Sequence, residues 1–339
     1  MLYYVKGAIA LAIFLGIGSA TSAQDLVIAA TGGSFEDVLK KAYITPFQEA
    51  TGLDVAVASQ DSTVGPLKAQ VEAGNVKWDV VYLAPIDSEI AKADGLIQPI
   101  DYSVVNSAGL RDGAAKPERL AALYSASVVA WNSSSLRDIK GPKALFDLKT
   151  YPGKRAIRSS TPYGVLEIAL LADGVSAENL YPLDIDRAFS KLDEIKDEII
   201  FYTANEQGVQ LLSSGQAQIG IIPNGRAFKA SADGLDIDYT FNGGVNFIDY
   251  WVVPKGAKNP ENAMKFLDLI SKANGQEVVG NLMAYGGNNP AADKNYSAAH
   301  QKHMPTYPDN EKVLVTMNSD WWSQNLKAVF SRWQTWILK

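Results

Sequence analysis

The stretch IGIIPNGRAFKASADGLDIDYTFNGGVNFIDYWVVP, residues 219–254, decides how the rest of the chain is read. It runs strand, turn, short helix, strand, and then a longer crossing strand. Two charges in it do not suit their surroundings. Arg226 falls where a helix should begin, just after the Pro223-Asn224-Gly225 turn, and the partial positive charge of a helix start disfavours a cation. Asp249 sits inside the largely apolar run Val245 to Val253, where a carboxylate needs a partner or suffers heavy desolvation. A misplaced cation and a misplaced anion point to a ligand with the opposite two ends. The plainer reading is that Arg226 and Asp249 pair with each other or with surface groups, since buried ion pairs also perturb sites without serving them.

Upstream, short buried strands alternate with helices. Leu26 to Ala30 is a strand, and Phe35, Val38, Leu39 and Ala42 then recur at helical spacing behind Ser34, read as the N-cap. Strands over 53–58 and 78–83, a helix over 64–72 and another from Pro85 to Gly95 complete a parallel α/β pattern. After a polar segment, Leu120 to Trp131 is an apolar run longer than most strands, suited to carrying the chain from one lobe to another. The alternation then restarts and continues to Ile222, and Val245 to Val253 carries the chain back. The predicted division is lobe 1 over 24–125 and 246–290, lobe 2 over 126–245, and a helical tail over 291–339 packed on the lobes. Trp321, Trp322, Trp333 and Trp336 in that tail read as packing. Two α/β lobes on two crossing strands make a hinged clamp, with its ligand in the crevice at the strand C-terminal ends.

The beginning of the chain addresses the compartment. Lys6 precedes the apolar run Ala8 to Ile17, and Gly18 to Ala23 are small or hydroxylated, so residues 1–23 read as a cleaved secretory signal. The run is too short for a membrane anchor, and direct membrane insertion is not expected. There is no cysteine, which excludes a disulfide framework, a thiolate nucleophile and a lipid-modified Cys. An exported chain of this kind fits a bacterial periplasm. Formal charge is -6 without a basic run, so nucleic acid is a poor partner.

The order of elements, with IIPNGRAF, then GGVNFIDYWVVP, then GNLMAYGGNNP over 280–290, resembles the periplasmic spermidine/putrescine-binding family of ABC transporter substrate-binding proteins. Asn224, Gly225, Phe228, Gly243, Gly244, Phe247 and Asp249 match its pattern. The resemblance implies the type II periplasmic-binding-protein fold, a monomeric receptor and an inner-membrane ABC permease as partner. It places an amine on Asp249, Phe247 stacked beside it and Tyr285 facing the ligand, a carboxylate and a π-face both suiting a cation. The departures point elsewhere. Polyamine binders add acids at a second-lobe helix start, where this chain has SSTPYG over 159–164, and Arg226 replaces a small residue. A diamine would be repelled there, whereas a carboxylate would be held bidentately. The pattern is similar to that of the γ-aminobutyrate (GABA)-selective members, which implies a zwitterion with its amine on Asp249 and its carboxylate on Arg226. An α-amino acid carries the same two charges and stays open, as does a plain polyamine.

Further candidates rest on position. Tyr82 and Tyr202 end strands and face either the cleft or the core. Ser34 and Thr161 read as helix caps pointing into the crevice, where a hydroxyl or amide also meets a carboxylate. Ser127, with Ser125, lies on the first crossing run. His300 and His303 have neither Cys nor clustered acids beside them, so no metal is expected, and no cofactor. A periplasmic enzyme would need a nucleophile with a base, or paired carboxylates. No G-x-S-x-G and no Gly-rich phosphate loop is present, so a binding role is favoured.

Overall fold

The computed structural model describes residues 24–60 and 63–339; the secretory signal read over residues 1–23 lies outside them. Among the described residues eleven strands form the sheet: β1 (Leu26–Ala30), β2 (Val55–Ser59), β3 (Val80–Leu83), β4 (Ile97–Gln98), β5 (Ala115–Lys116), β6 (Arg119–Asn132), β7 (Arg155–Arg158), β8 (Ile199–Tyr202), β9 (Ile219–Pro223), β10 (Ile237–Pro254) and β11 (Val315–Thr316). The main path runs β2-β1-β3-β10-β6-β9-β7-β8. Both ends are parallel, as the βαβ spacing demands: β2, β1 and β3 at one, β9, β7 and β8 at the other. Between them β6 and β10 run antiparallel, and each belongs to both ends.

The two long strands explain the two lobes. The first half of β6 pairs with the second half of β10 beside β3, at Phe247↔Ser125 and Trp251↔Leu120. The second half of β6 pairs with the start of β10 and with β9, at Ile237↔Asn132 and Ser127↔Pro223. The sequence reading separated LDIDYTF from the crossing strand, whereas the structure joins them in one 18-residue strand. A register shift between Thr240 and Val245 takes up the glycines that looked like a break. Gly243 has φ 68, and a Cβ on it would lie 2.5 Å from Pro142, so an irregularity in the ladder suits it better than a turn.

A second correction concerns Pro223-Asn224-Gly225, which is not a turn. Pro223 ends β9 and the helix starts directly, over Asn224–Ala232. Asn224 is fully buried, its Oδ1 accepting from Ala126 N–H at 2.9 Å and its Nδ2 donating to Ala284 O at 2.9 Å. It thereby fastens this helix start to β6 and to the segment carrying Tyr285.

Each lobe has its own core. Leu26, Ile28, Phe47, Trp251 and Phe266 belong to one, and Ile157, Leu166, Phe189 and Leu192 to the other. The helix Ser319–Ile337 is anchored to the second lobe by three indole N–H groups. Trp322 donates to Glu167 Oε1 at 2.6 Å, Trp333 to Ser159 O at 2.7 Å and Trp336 to Asp193 Oδ1 at 2.7 Å. Ile86, from the first-lobe helix Pro85–Ala93, packs into the same cluster. Among the described residues no helix is long and apolar enough to cross a membrane.

Candidate functional site

The strand ends of both lobes open on one cavity of about 220 Å³. Its wall includes Tyr82, Ser125, Ser127, Thr161, Tyr202, Arg226, Phe247, Asp249 and Tyr285, bringing together residues from positions far apart in the chain.

Asp249 lies where β6 and β10 slip register, its partner being Leu123 while Tyr250 faces Ala121. The surplus residue is on β6, so alternation along β10 persists and Phe247, Asp249 and Trp251 share a face. Trp251 is buried in the first-lobe core, edge-on to Tyr82 with ring centroids 5.1 Å apart. Phe247 faces the cavity instead and meets Tyr163 at 5.8 Å. Tyr82 donates its hydroxyl to Asp249 Oδ2 at 2.6 Å. Burial pushes the Asp249 carboxyl up to about 7, and the Tyr82 bond works against that rise. The acid is therefore poised to gain from a cation that would replace its lost water.

Arg226 stands in the first turn of helix Asn224–Ala232, a place that the helix dipole disfavours for a cation. Its Nη1 pairs with Glu206 Oε1 at 3.0 Å, so one surface partner that the plainer reading called for is present. Glu206 is 67% exposed against 15% for Arg226, and an ion pair that open to water is weak. Tyr285 lies against the same helix start: a Cβ on Gly225 would come 2.5 Å from its ring. Its hydroxyl feels Arg226 and Asp249 in opposite senses, so Tyr285 stands near both charges.

Other candidates change role. Ser34 is the first residue of its helix and the N-cap position falls to Gly33, with φ 70; on either side Thr31 and Phe35 line the cavity. Thr161 lines the cavity without capping. The helix Val165–Ala172 is capped at Gly164, whose N–H donates to Glu167 Oε2 at 2.8 Å. The turn at Gly164 is tight, since a Cβ there would meet Ser127 Oγ at 2.8 Å and Phe247 at 3.1 Å. Tyr202 presents only its ring, because its hydroxyl donates to Ile221 O at 2.6 Å. His300 and His303 flank Phe228 at 5.1 and 5.2 Å as packing. No cluster of three or more His, Cys, Asp or Glu able to hold a metal occurs among the described residues.

Sequence reasoning missed Arg158, Tyr163 and Asn205, all lining the cavity. Arg158 had a signal. It is the last residue of β7, and the C-terminal ends of parallel strands are where α/β folds hold ligands. Tyr163 and Asn205 lie in loops or at a helix start, with nothing in their neighbourhood to mark them.

A two-lobed α/β clamp on paired crossing strands, with charges of both signs in its cleft, is the build of a solute-binding receptor. The chain belongs to the bacterial extracellular solute-binding proteins, whose family model matches residues 42–306. It is similar to the gamma-aminobutyric acid-binding protein of Pseudomonas aeruginosa, at 29% identity over 93% of this chain and 92% of that one. It is also similar to the spermidine/putrescine-binding periplasmic protein of Escherichia coli, at 24% identity over 86% of each. Among solved structures it resembles AgtB of A. tumefaciens in complex with agropinic acid, with TM-score 0.84 and 34% identity over 93% of this chain and 98% of that one. The protein is thus a periplasmic solute-binding receptor of the kind that serves ABC importers, and not an enzyme.

Proposed function

We propose that this receptor captures a small zwitterionic amino acid and delivers it to an inner-membrane ABC permease, with GABA as the named ligand. The observation that carries the reading is the convergence of Asp249 and Arg226 on one cavity. Asp249 takes the ammonium and Arg226 the carboxylate, with Phe247 and Tyr285 as the aromatic walls. A carboxylate arriving at Arg226 competes with a solvent-exposed glutamate, which is a modest opponent. The Pseudomonas relative's ligand supports the choice of GABA. Because Asp249 is on a crossing strand and Arg226 on the second lobe, a ligand gripping both favours the closed clamp, the state a permease reads.

Titration calorimetry of residues 24–339 against GABA, putrescine, glutamate and alanine tests this. Heat with GABA and none with putrescine is expected. Heat with putrescine alone would assign Arg226 to its Glu206 pair and restore the polyamine reading.

A further inference from the structure

Strand β7 carries two arginines with opposite fates. Arg155, at its beginning, is fully buried and spends its guanidinium on three backbone carbonyls: Leu145 at 2.7 Å, Gly153 at 2.7 Å and Tyr151 at 2.6 Å. That is a structural arginine with its donors satisfied. Arg158, at the other end, is half-buried and lines the cleft. Among the described residues it makes no ion pair, and its buried Nε has no hydrogen-bond partner. A guanidinium left so in a crevice is a donor set awaiting an acceptor.

The cavity wall therefore holds two cations, Arg158 and Arg226, against a single acid, Asp249. Glu206 offsets Arg226 from outside that wall, where water screens it. A zwitterion with one carboxylate occupies one guanidinium and leaves the other unanswered. Tyr285 is near Arg226 and Asp249, and Tyr163, whose ring meets Phe247, is near Arg158, Asp87 and Asp249. Each arginine thus has near it a cavity-lining tyrosine that also feels Asp249.

We infer that the preferred ligand is a branched amino acid with one ammonium and two acid-bearing arms, the second carboxylate held by Arg158. The inference rests on the zwitterion reading and narrows it: the ammonium is on Asp249, one carboxylate on Arg226, and the other on Arg158. A secondary ammonium with a carboxylate on either side, or an amino dicarboxylate, fits that pattern. GABA is then the one-armed member of the class.

The test compares affinities of the wild-type chain for GABA, glutamate (GABA with a carboxylate added on its amine-bearing carbon) and iminodiacetate (the simplest two-armed secondary ammonium). At least one two-armed acid is expected to bind about tenfold more tightly than GABA. In Arg158→Gln the ratio of the two affinities should fall to about one, and Arg158→Lys should restore part of it by charge alone. Circular dichroism and the unfolding midpoint check that both variants are folded. GABA binding with no two-armed advantage, or an advantage kept in Arg158→Gln, overturns the inference and leaves the zwitterion reading standing. Binding of putrescine alone overturns both, and silence with every probe also counts against the inference.

Discussion

The two walls of the cleft are built differently. The anionic wall is set in advance: Asp249 lies on the longest strand, takes a 2.6 Å bond from Tyr82, and Tyr82 is wedged between Phe35 and Trp251 at 5.3 and 5.1 Å. The cationic wall is provisional. Arg226 holds a mostly exposed glutamate, and Arg158 ends a four-residue strand and makes no ion pair among the described residues. On the proposed reading, a ligand's ammonium would meet a finished cradle, while its carboxylate would have to win its place. That difference suggests a division of labour, with amine capture fixed by the fold and discrimination among acids left to the arginines.

The largest effect should come from the cationic side. Arg226→Ala removes the carboxylate's grip and leaves Glu206 near an incoming anion, so amino-acid binding should fall by about a hundredfold or more. The variant should fold normally, because the glutamate end of the lost pair is open to water. Calorimetry beside a thermal scan separates the two, and retained affinity would take Arg226 out of the site.

Asp249→Asn comes next, with a loss of about 1.5–3 kcal/mol, or roughly ten- to hundredfold. This acid also gives binding a pH profile. With its carboxyl near 7 in the ligand-free protein, an ammonium arriving below that pH must displace a proton. Affinity should be level above pH 7 and about tenfold weaker at pH 6; in Asp249→Asn the slope should vanish. Stability runs the other way. From its ordinary 3.8 up to about 7, the ligand-free native state keeps a proton that the unfolded chain has lost. This group's contribution is therefore full at the acid end of that window and is lost as pH rises to 7. At pH 8 the Asn variant should melt higher than the wild type while binding worse.

Much of this wall was legible in the sequence because it is written as contradiction. An acid in the apolar run Val245 to Val253 has few innocent explanations, and the long run from Leu120 announced a strand shared between lobes. Helix starts were less legible. Ser34 and Thr161 looked like caps by residue type, yet Gly33 and Gly164 took those places by adopting positive φ, a backbone choice that packing against Ser127 and Phe247 makes in the second case. Glu206 as the partner of Arg226 depends on a contact across 20 positions, which no local pattern marks. Arg158 was hidden by its resemblance to Arg155, an identical residue three places earlier whose role is purely structural.

Tyr82→Phe should have a smaller effect, weakening binding several-fold through the loss of one hydrogen bond to the charged carboxylate. Its more telling signature is in the pH profile. The Tyr82 bond is what holds the Asp249 carboxyl down against burial, so its removal should move the midpoint of the binding curve upward. An unchanged midpoint would mean that Tyr82 packs beside the acid without tuning it.

The smallest effect should have the opposite sign. On the proposed reading Glu206 and a ligand carboxylate would compete for Arg226, and a pair whose glutamate is this open to water is worth about 0.2–1 kcal/mol. Glu206→Gln removes the competitor without removing the cation, so affinity for an amino acid should rise by up to about fivefold. Added salt weakens the Glu206 pair and the ligand's own contact alike, so the gain should be read at low ionic strength, where exposed charges count most. A fall in affinity would show that Glu206 holds Arg226 in the posture the ligand needs, making the provisional wall as preorganised as its neighbour. A rise would confirm that the cationic side waits for its partner.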